Sequence, residues 1–521
     1  MRENENIIVR LLEDTVAEYP DMPAVRWLVK KETFERNYRE LDSDRLRVAN
    51  ALLERGFRGK HIAMTGGSSY EWIVSYFGIV SGRMTAVPLD PVLPPAELCE
   101  LINRSDSEAL FIAPKMVSLI DTVKESCPAV RLFVILGEDA VAEDESILSI
   151  SELKASSKDE PLPEDERPGD DDVCTIIFTS GTTGKSKGVM LTQRNLHDDV
   201  TNVVVSFPPG TTMLSVLPVH HAYCLVMDWM KGFSMAATIY INDTLLHMVR
   251  NIGIVKPNIL LMVPLMIETI AKRLEAADPS VPKREAAEKI FGENLQYIFS
   301  GGAHLDPSYI HFFEEYGIQV CEGYGMSECS PTISTNGELG NRPGSVGKLL
   351  ANMEVRFVDG EIQVRGSNVM KGYYKMPEET REAFSDGWLR TGDLGRMDED
   401  GYLYITGRLK NLIILSNGEN VSPEEIENTL LKNDLVGEVV IAGSDNGLAA
   451  RIFPDPDVAE KEGLSPEEVS SRLQDILDGY NKTQPTYRAV TSLIVRSHPF
   501  LKNSTKKIIR AMMDVDEEAD G

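Results

Sequence analysis

Short β-rich runs alternate with helical patterns through most of this chain, and few folds accommodate that rhythm. "KHIAMTG", "MTAVPLDP", "ALFIAP", "RLFVILG", "CTIIFTSG", "NILLMVP" and "NLQYIFSGG" read as strands, and "SSYEWIVSYFGIVSG" reads as a helix following the first of them. Strands that alternate with helices predict α/β architecture with largely parallel sheets. Ligands of such folds sit outside the carboxyl ends of the strands.

After Gly340 the texture changes. "GSVGKLLANMEVRFVDGEIQVRG" and "GYLYITG" predict short antiparallel strands joined by glycine turns. A smaller unit is expected from about Leu409, so the chain divides into residues 1–408 and 409–521. "SPEEIENTLL" at Ser422 and "SPEEVSSRLQDIL" at Ser465 each place Ser at a helix start, Pro next and Glu three residues after the Ser. Both spacings predict a capping box. The Ser151–Asp172 stretch, rich in Glu, Asp, Ser and Pro, reads as an exposed connector.

Charge excludes one class of partner. The 53 basic and 81 acidic residues of this 521-residue chain give a net charge of -28. Nucleic-acid affinity comes mainly from Lys and Arg neutralising phosphates, so no nucleic-acid partner is expected. None of the six cysteines forms a C-x-x-C pair, which points to buried thiols in a reducing compartment. The start "MRENENIIVRLLEDTVAEYP" lacks the apolar core of a signal peptide. No apolar run reaches the length of a transmembrane segment, so a cytoplasmic location is expected.

The run "CTIIFTSG" leads into "FTSGTTGKSKGVM", whose Gly-Lys-Ser spells the tail of a P-loop. A P-loop requires glycine five residues before Gly184, and Thr179 stands there. The stretch is nevertheless dense in glycine, hydroxyls and lysine. Glycine lets backbone approach a ligand, and hydroxyls donate to phosphate oxygens. A flexible surface loop is the plainer reading of that composition.

Four further stretches carry chemistry. In "EGYGMSECSP", Tyr324 is able to cover a flat base and Glu328 to hold a hard cation such as Mg²⁺; an ordinary polar loop is the alternative. In "GWLRTGDLG", Asp393 is either a turn aspartate or an acceptor for two ribose hydroxyls. "GRLKNLIILSNGENVSPEEIE" reads as a hairpin and a capped helix, and "FLKNSTKKIIR" as a basic run that is unexpected in so acidic a chain.

Together, and in this order, these stretches resemble the adenylate-forming superfamily of acyl-CoA synthetases, luciferases and peptide-synthetase adenylation domains. The resemblance covers almost the whole chain. "KGYYKMPEET" and "YNKTQPTYRAV" look like bacterial long-chain or medium-chain acyl-CoA synthetases. It implies a large N-terminal domain of two α/β subdomains with a small β-barrel-like subdomain, and a small mobile C-terminal α+β domain. It also implies an acid-thiol ligase using ATP, Mg²⁺ and coenzyme A, which converts a carboxylic acid, expected to be a fatty acid, to acyl-AMP and then to acyl-CoA.

By the same resemblance, Thr179, Ser180, Gly181, Thr182, Thr183, Gly184 and Lys185 line the ATP phosphates, and Thr179 and Glu328 hold Mg²⁺. Gly301, Gly302, Ala303, Tyr324 and Gly325 enclose adenine, Ser327 reaches the α-phosphate, and Asp393 and Arg408 bind ribose. Lys507 bridges the carboxylate and the α-phosphate in the transition state. Lys410 is the hinge about which the small domain rotates, and Gly418, Glu419 and Asn420 border the entry of the thiol.

"LPVHHAYCLVMDWM" resembles the family's acyl-pocket motif, with His221 lining the pocket and His220 standing where the family often has Phe. The apolar residues after it, with Trp229, suit either an alkyl chain or core packing. Three departures stand out: Ser186 for Pro, Asn411 for Asp after the hinge lysine, and Lys506 for Gly before Lys507. Two other acceptor or substrate classes stay open. One is loading of an acyl carrier protein; the other is amino-acid activation, for which Asp228 is the candidate amine ligand.

Overall fold

The seven runs read as strands are strands, among them His61–Thr65, Thr85–Leu89, Ser107–Ile112, Val173–Thr179 and Tyr297–Ser300. This computed structural model describes residues 6–29, 32–137, 144–179, 185–415, 420–444, 447–502 and 508–513. Two compact units result. The first comprises residues 1–355, 364–389 and 398–403; the second comprises 356–363, 390–397 and 404–521.

The first unit holds two large sheets. One runs, edge to edge, Gly372–Tyr373, Lys187–Thr192, Val173–Thr179, Thr85–Leu89, His61–Thr65, Ser107–Ile112, Leu132–Ile135 and Ile147–Ser149. Its pairings are parallel except where Lys187–Thr192 meets its two neighbours. The other sheet has nine strands, with Gln319–Gly325, Tyr297–Ser300, Ile259–Met262, Thr212–Ser215 and Thr238–Ile241 parallel to one another at its centre. The parallel core follows from the helical crossovers between strands.

The helix Tyr70–Ser81 shows why sequence forces this layering. Ser69 caps it by accepting from the Trp72 amide at 3.1 Å. All its residues except Glu71 are buried, as expected for a helix that is apolar all round. Gly78 lets it approach its neighbour, since a Cβ there would lie 2.6 Å from Val48 Cγ1. An aromatic cluster of Tyr38, Phe77, Trp229 and Phe233, ring centroids 5.5–5.8 Å apart, fills the core beyond it. Trp229 is fully buried there and so belongs to core packing. All six cysteines are buried free thiols.

In the second unit, Val436–Ser444, Gly447–Pro454 and Val490–Val495 form a three-stranded sheet covered by Pro423–Leu430 and Pro466–Asn481. Ile426, Leu430, Ile441, Leu473 and Leu477 form its core. The unit's residues 390–397 and 404–408 belong to strands of a five-stranded sheet.

Two local expectations change. Ser465 forms its capping box with Glu468, but Ser422 does not form one with Glu425. The Ser422 hydroxyl donates instead to the Thr406 carbonyl at 2.9 Å, so a tertiary partner displaces the local one. The segment read as a connector begins as a helix, Ile150–Ala155, with a capping box of Ser149 and Glu152. Among the described residues, no helix is long and apolar enough to cross a membrane.

Candidate active site

The carboxyl ends of the parallel strands gather most of the expected residues of the first unit. Thr212–Ser215 leads to His220 and His221; Tyr297–Ser300 leads to Gly301, Gly302 and Ala303; Gln319–Gly325 carries Tyr324 and Gly325 and leads to Ser327 and Glu328. Ser300 and Glu322 are register partners, so the glycine loop and Tyr324 leave the sheet side by side. Glycine is required at one of these positions: a Cβ on Gly325 would lie 1.8 Å from the Pro331 carbonyl oxygen. One on Gly301 would lie 3.0 Å from the Tyr223 ring, a tight contact. Glu322 stays behind them as a buried acid. Burial pushes its carboxyl up to about 8, against the opposing bond from the Leu305 amide at 3.1 Å.

The loop Thr179–Lys187 closes a β-hairpin. Val173–Thr179 and Lys187–Thr192 are antiparallel, with Thr179 opposite Lys187. A P-loop passes from strand to helix; here the chain returns as a strand, and the next helix starts only at Gln193. Ser180, Gly181, Thr182, Thr183 and Gly184 lie outside the described residues; Lys185 is exposed beside them. Ser186, the residue in place of proline, is tied down. Its carbonyl accepts from the Arg104 guanidinium at 2.6 Å, and that guanidinium lies 5.7 Å from the Phe178 ring.

Glu328 sits on the short helix Ser327–Cys329 and is buried. The Tyr373 hydroxyl donates to its Oε1 at 2.9 Å, and its own carbonyl accepts from the Met370 amide at 2.8 Å. Tyr373 belongs to the edge strand Gly372–Tyr373, paired with the second hairpin strand through Tyr373 and Val189. The Lys187 ammonium lies 4.8 Å from the Tyr373 ring centroid. The edge strand therefore connects the Glu328 segment to the hairpin. Sequence reading missed Tyr373, Lys187 and Arg104; Tyr373 and Lys187 fall inside quoted stretches, but nothing local signals that they meet.

The two histidines differ. His220 is buried, its Nε2 3.6 Å from Asp90 Oδ2. Asp90 follows the strand Thr85–Leu89, so this contact joins the carboxyl ends of the two sheets. Despite its partial burial, the His220 contact and the Val92 amide hold the Asp90 carboxyl down at about 2. His221 is half-buried, its ring 4.3 Å from that of His220. Burial, then the neighbouring His220, lowers His221 to about 4, so the imidazole is neutral at pH 7. Asp228 lies on a π-helical segment, Tyr223–Met230, and is fully buried. Ser215 donates to its Oδ2 at 3.0 Å, and burial raises it to about 7. A fully enclosed carboxyl whose charged form is disfavoured by burial is a poor ligand for an ammonium group.

In the second unit, the Arg408 guanidinium pairs with Asp393 at 2.8 Å; the two expected ribose ligands thus engage each other. Thr391 fixes the same strand by accepting from the Asp393 amide at 3.0 Å and donating to the Ile362 carbonyl at 2.7 Å. Lys410 is exposed. Asn411 donates to Glu424 at 2.5 Å, a role the usual aspartate could not fill. Arg510, at the end of the basic run, pairs with the buried Glu427. Gly418, Glu419, Lys506 and Lys507 lie outside the described residues, as does the side chain of Asn420.

No cluster of three His, Cys, Asp or Glu side chains among the described residues is placed to hold a metal ion. A resident metal centre therefore does not fit them. One buried carboxylate, Glu328, does suit a hard cation that arrives with phosphate oxygens.

Comparison with known proteins agrees with this layout. An AMP-binding enzyme family profile matches residues 12–374, and an AMP-binding enzyme C-terminal domain profile matches 410–516. The peroxisomal long chain acyl-CoA synthetase 6 of Arabidopsis thaliana is 30% identical over 493 residues, 82% of this chain and 70% of that one. The long-chain-fatty-acid–CoA ligase FadD15 of Mycobacterium bovis is 28% identical, over 79% of this chain and 76% of that one. Among solved structures, ATP-bound MatB from Rhodopseudomonas palustris superposes with a TM-score of 0.82 at 25% identity, covering 99% of both chains. The anthranilate CoA ligase AuaEII, in complex with anthranoyl-AMP, shares the fold with a TM-score of 0.84 at 22% identity, covering 99% of this chain and 98% of that one. This chain belongs to the AMP-binding enzyme family.

Proposed function

We propose that this protein activates a fatty acid with ATP to acyl-AMP and pyrophosphate, then transfers the acyl group to coenzyme A. The observation that carries this reading is the similarity to long-chain acyl-CoA ligases across 79% to 84% of the chain. A carboxylate oxygen attacks the α-phosphorus of ATP, and the bond to pyrophosphate breaks. The CoA sulfur then attacks the acyl carbonyl, the thiol proton departs, and AMP leaves.

Both groups that meet at phosphorus are anionic, so positioning and charge neutralisation are what the protein supplies. The hairpin beyond Thr179 cradles the phosphates, and Arg104 fixes its far end through Ser186. Glu328 and Thr179 would hold Mg²⁺, which would supply charge neutralisation at the phosphate oxygens. Gly301, Gly302, Ala303, Tyr324 and Gly325 take adenine, and Ser327 takes the α-phosphate. Asp393, oriented by Arg408, takes ribose. Lys507 neutralises the carboxylate and the α-phosphate during adenylation. Lys410 serves as the pivot between the two half-reactions. Neutral His221 borders the acyl group without adding charge beside an alkyl chain.

The fatty acid reading and the amino-acid reading differ at Asp228. Its burial against Ser215 favours the fatty acid. The test is pyrophosphate exchange into ATP, driven by a panel of fatty, aromatic and amino acids. Exchange with fatty acids supports the proposal; exchange driven only by amino acids contradicts it.

A further inference from the structure

We propose that Tyr373 is a positioning residue for the metal-binding carboxylate Glu328: its hydroxyl aims that carboxylate at the cation that accompanies the nucleotide. This inference rests on the function proposed above.

Glu328 is only 8% exposed, and a carboxylate in that setting is costly unless it is hydrogen-bonded. Tyr373, only 7% exposed itself, donates to Oε1 at 2.9 Å. A phenol in this place contributes one directed bond and no charge. It therefore orients the carboxylate without competing for the cation, as a lysine or arginine would. The Lys187 ammonium, 4.8 Å from the ring centroid, draws electron density from the phenol and strengthens it as a donor.

The backbone explains why Tyr373 is held well enough to aim anything. The Tyr373 amide donates to Thr380 Oγ1 at 2.9 Å, and the Tyr374 amide donates to the Gly188 carbonyl at 2.7 Å. Gly372 has φ of +140°, and a Cβ there would lie 2.9 Å from the Thr380 methyl. The Glu328 backbone is fixed from the same segment by the Met370 amide. Behind it, buried Asn368 donates to Asp199 Oδ1 and to the Thr332 carbonyl, each at 2.9 Å, and accepts Ser330 Oγ at its carbonyl. The helix Ser327–Cys329 is thus locked at its backbone, and its acidic side chain is set by the tyrosine. Groups that orient a ligand without touching the metal typically change metal affinity by about 10- to 100-fold.

The test is Tyr373→Phe, which keeps the ring, its packing and its contact with Lys187. Binding of Mn²⁺ to the complex with a non-hydrolysable ATP analogue is followed by electron paramagnetic resonance. The variant is expected to bind Mn²⁺ about tenfold more weakly, with an unchanged melting temperature. The Mg²⁺ concentration giving half-maximal pyrophosphate release should rise in step, with the maximal rate largely restored at saturating Mg²⁺. In a Glu328→Gln background, Tyr373→Phe should have no further effect on Mn²⁺ binding, because the pair acts as one unit. Unchanged Mn²⁺ affinity in an active enzyme, or an equal loss in both backgrounds, would overturn the inference. If the parent enzyme releases no pyrophosphate with any carboxylate, the proposed function fails instead, and the Mn²⁺ titration still tests the role of Tyr373 on its own.

Discussion

Thr179 and Lys187 face each other across antiparallel strands, at the end of a hairpin whose loop carries Gly-Lys-Ser. That pairing separates this loop from a P-loop more firmly than the missing glycine does. A P-loop uses the N-terminus of the following helix to hold phosphate. Here the chain returns as a strand, and the function proposed above relies instead on hydroxyls and neighbouring cations.

Arg104 supplies one such support, since it holds the Ser186 carbonyl at 2.6 Å. Arg104→Met should raise the KM for ATP about tenfold and change kcat by less than about threefold, as expected for loss of one charged hydrogen bond remote from the chemistry. Steady-state pyrophosphate release at varied ATP measures this. An unchanged KM would remove Arg104 from the site.

Glu328→Gln retains shape and the capacity to accept from Tyr373 but removes the charge proposed to hold a cation. Adenylation should fall by about 10²-fold or more. The melting temperature should stay within about 3 °C, because relief from a buried charge offsets weaker hydrogen bonding. Activity within about threefold of the parent at limiting Mg²⁺ would exclude Glu328 as the metal ligand.

Asp228 makes a pH-dependent contribution to stability. Its carboxyl is raised from an ordinary 3.8 to about 7 by burial, so the folded state holds a proton that the unfolded state releases. The contribution is complete below about pH 4 and is lost as pH rises through about 7. Asp228→Asn removes that loss. Urea unfolding should show the variant more stable than the parent at pH 8, on the order of 3 kcal/mol, with the difference vanishing near pH 4. A difference that does not vary with pH would contradict the buried acid.

His221 titrates in the opposite sense. Its folded-state value is lowered from 6.5 to about 4 by burial and by His220, so the stability tied to its neutral form is lost as pH falls between those values. Proton NMR of the ring should give a midpoint near 4. A midpoint near 6.5 would show a solvated ring, and His221 would no longer be a fit wall for an apolar chain.

Sequence patterning located the strands and their ends because each strand is a local apolar run. The stretches proposed to carry the site stood out in the same way, since Tyr324, Glu328 and Asp393 fall in short segments set off by glycine. Contacts between distant segments did not. Nothing near Tyr373 indicates that its strand pairs with Val189 and so meets Glu328. Nothing near Asp90 indicates that His220 lies 3.6 Å away on the other sheet. Ser422 has the local spacing of a capping box, yet Thr406 takes its hydroxyl. In each case the deciding partner is fixed by topology, which local spacing does not encode.

The central claim is that one chain performs both adenylation and thioester formation on a fatty acid. Mass spectrometry of reactions with a long-chain fatty acid, ATP and Mg²⁺, with and without CoA, tests it most directly. The account predicts pyrophosphate and enzyme-bound acyl-AMP without CoA, and acyl-CoA with stoichiometric AMP when CoA is added. Acyl-AMP that accumulates but never passes to CoA would contradict the second step, and no pyrophosphate with any fatty acid would contradict the first.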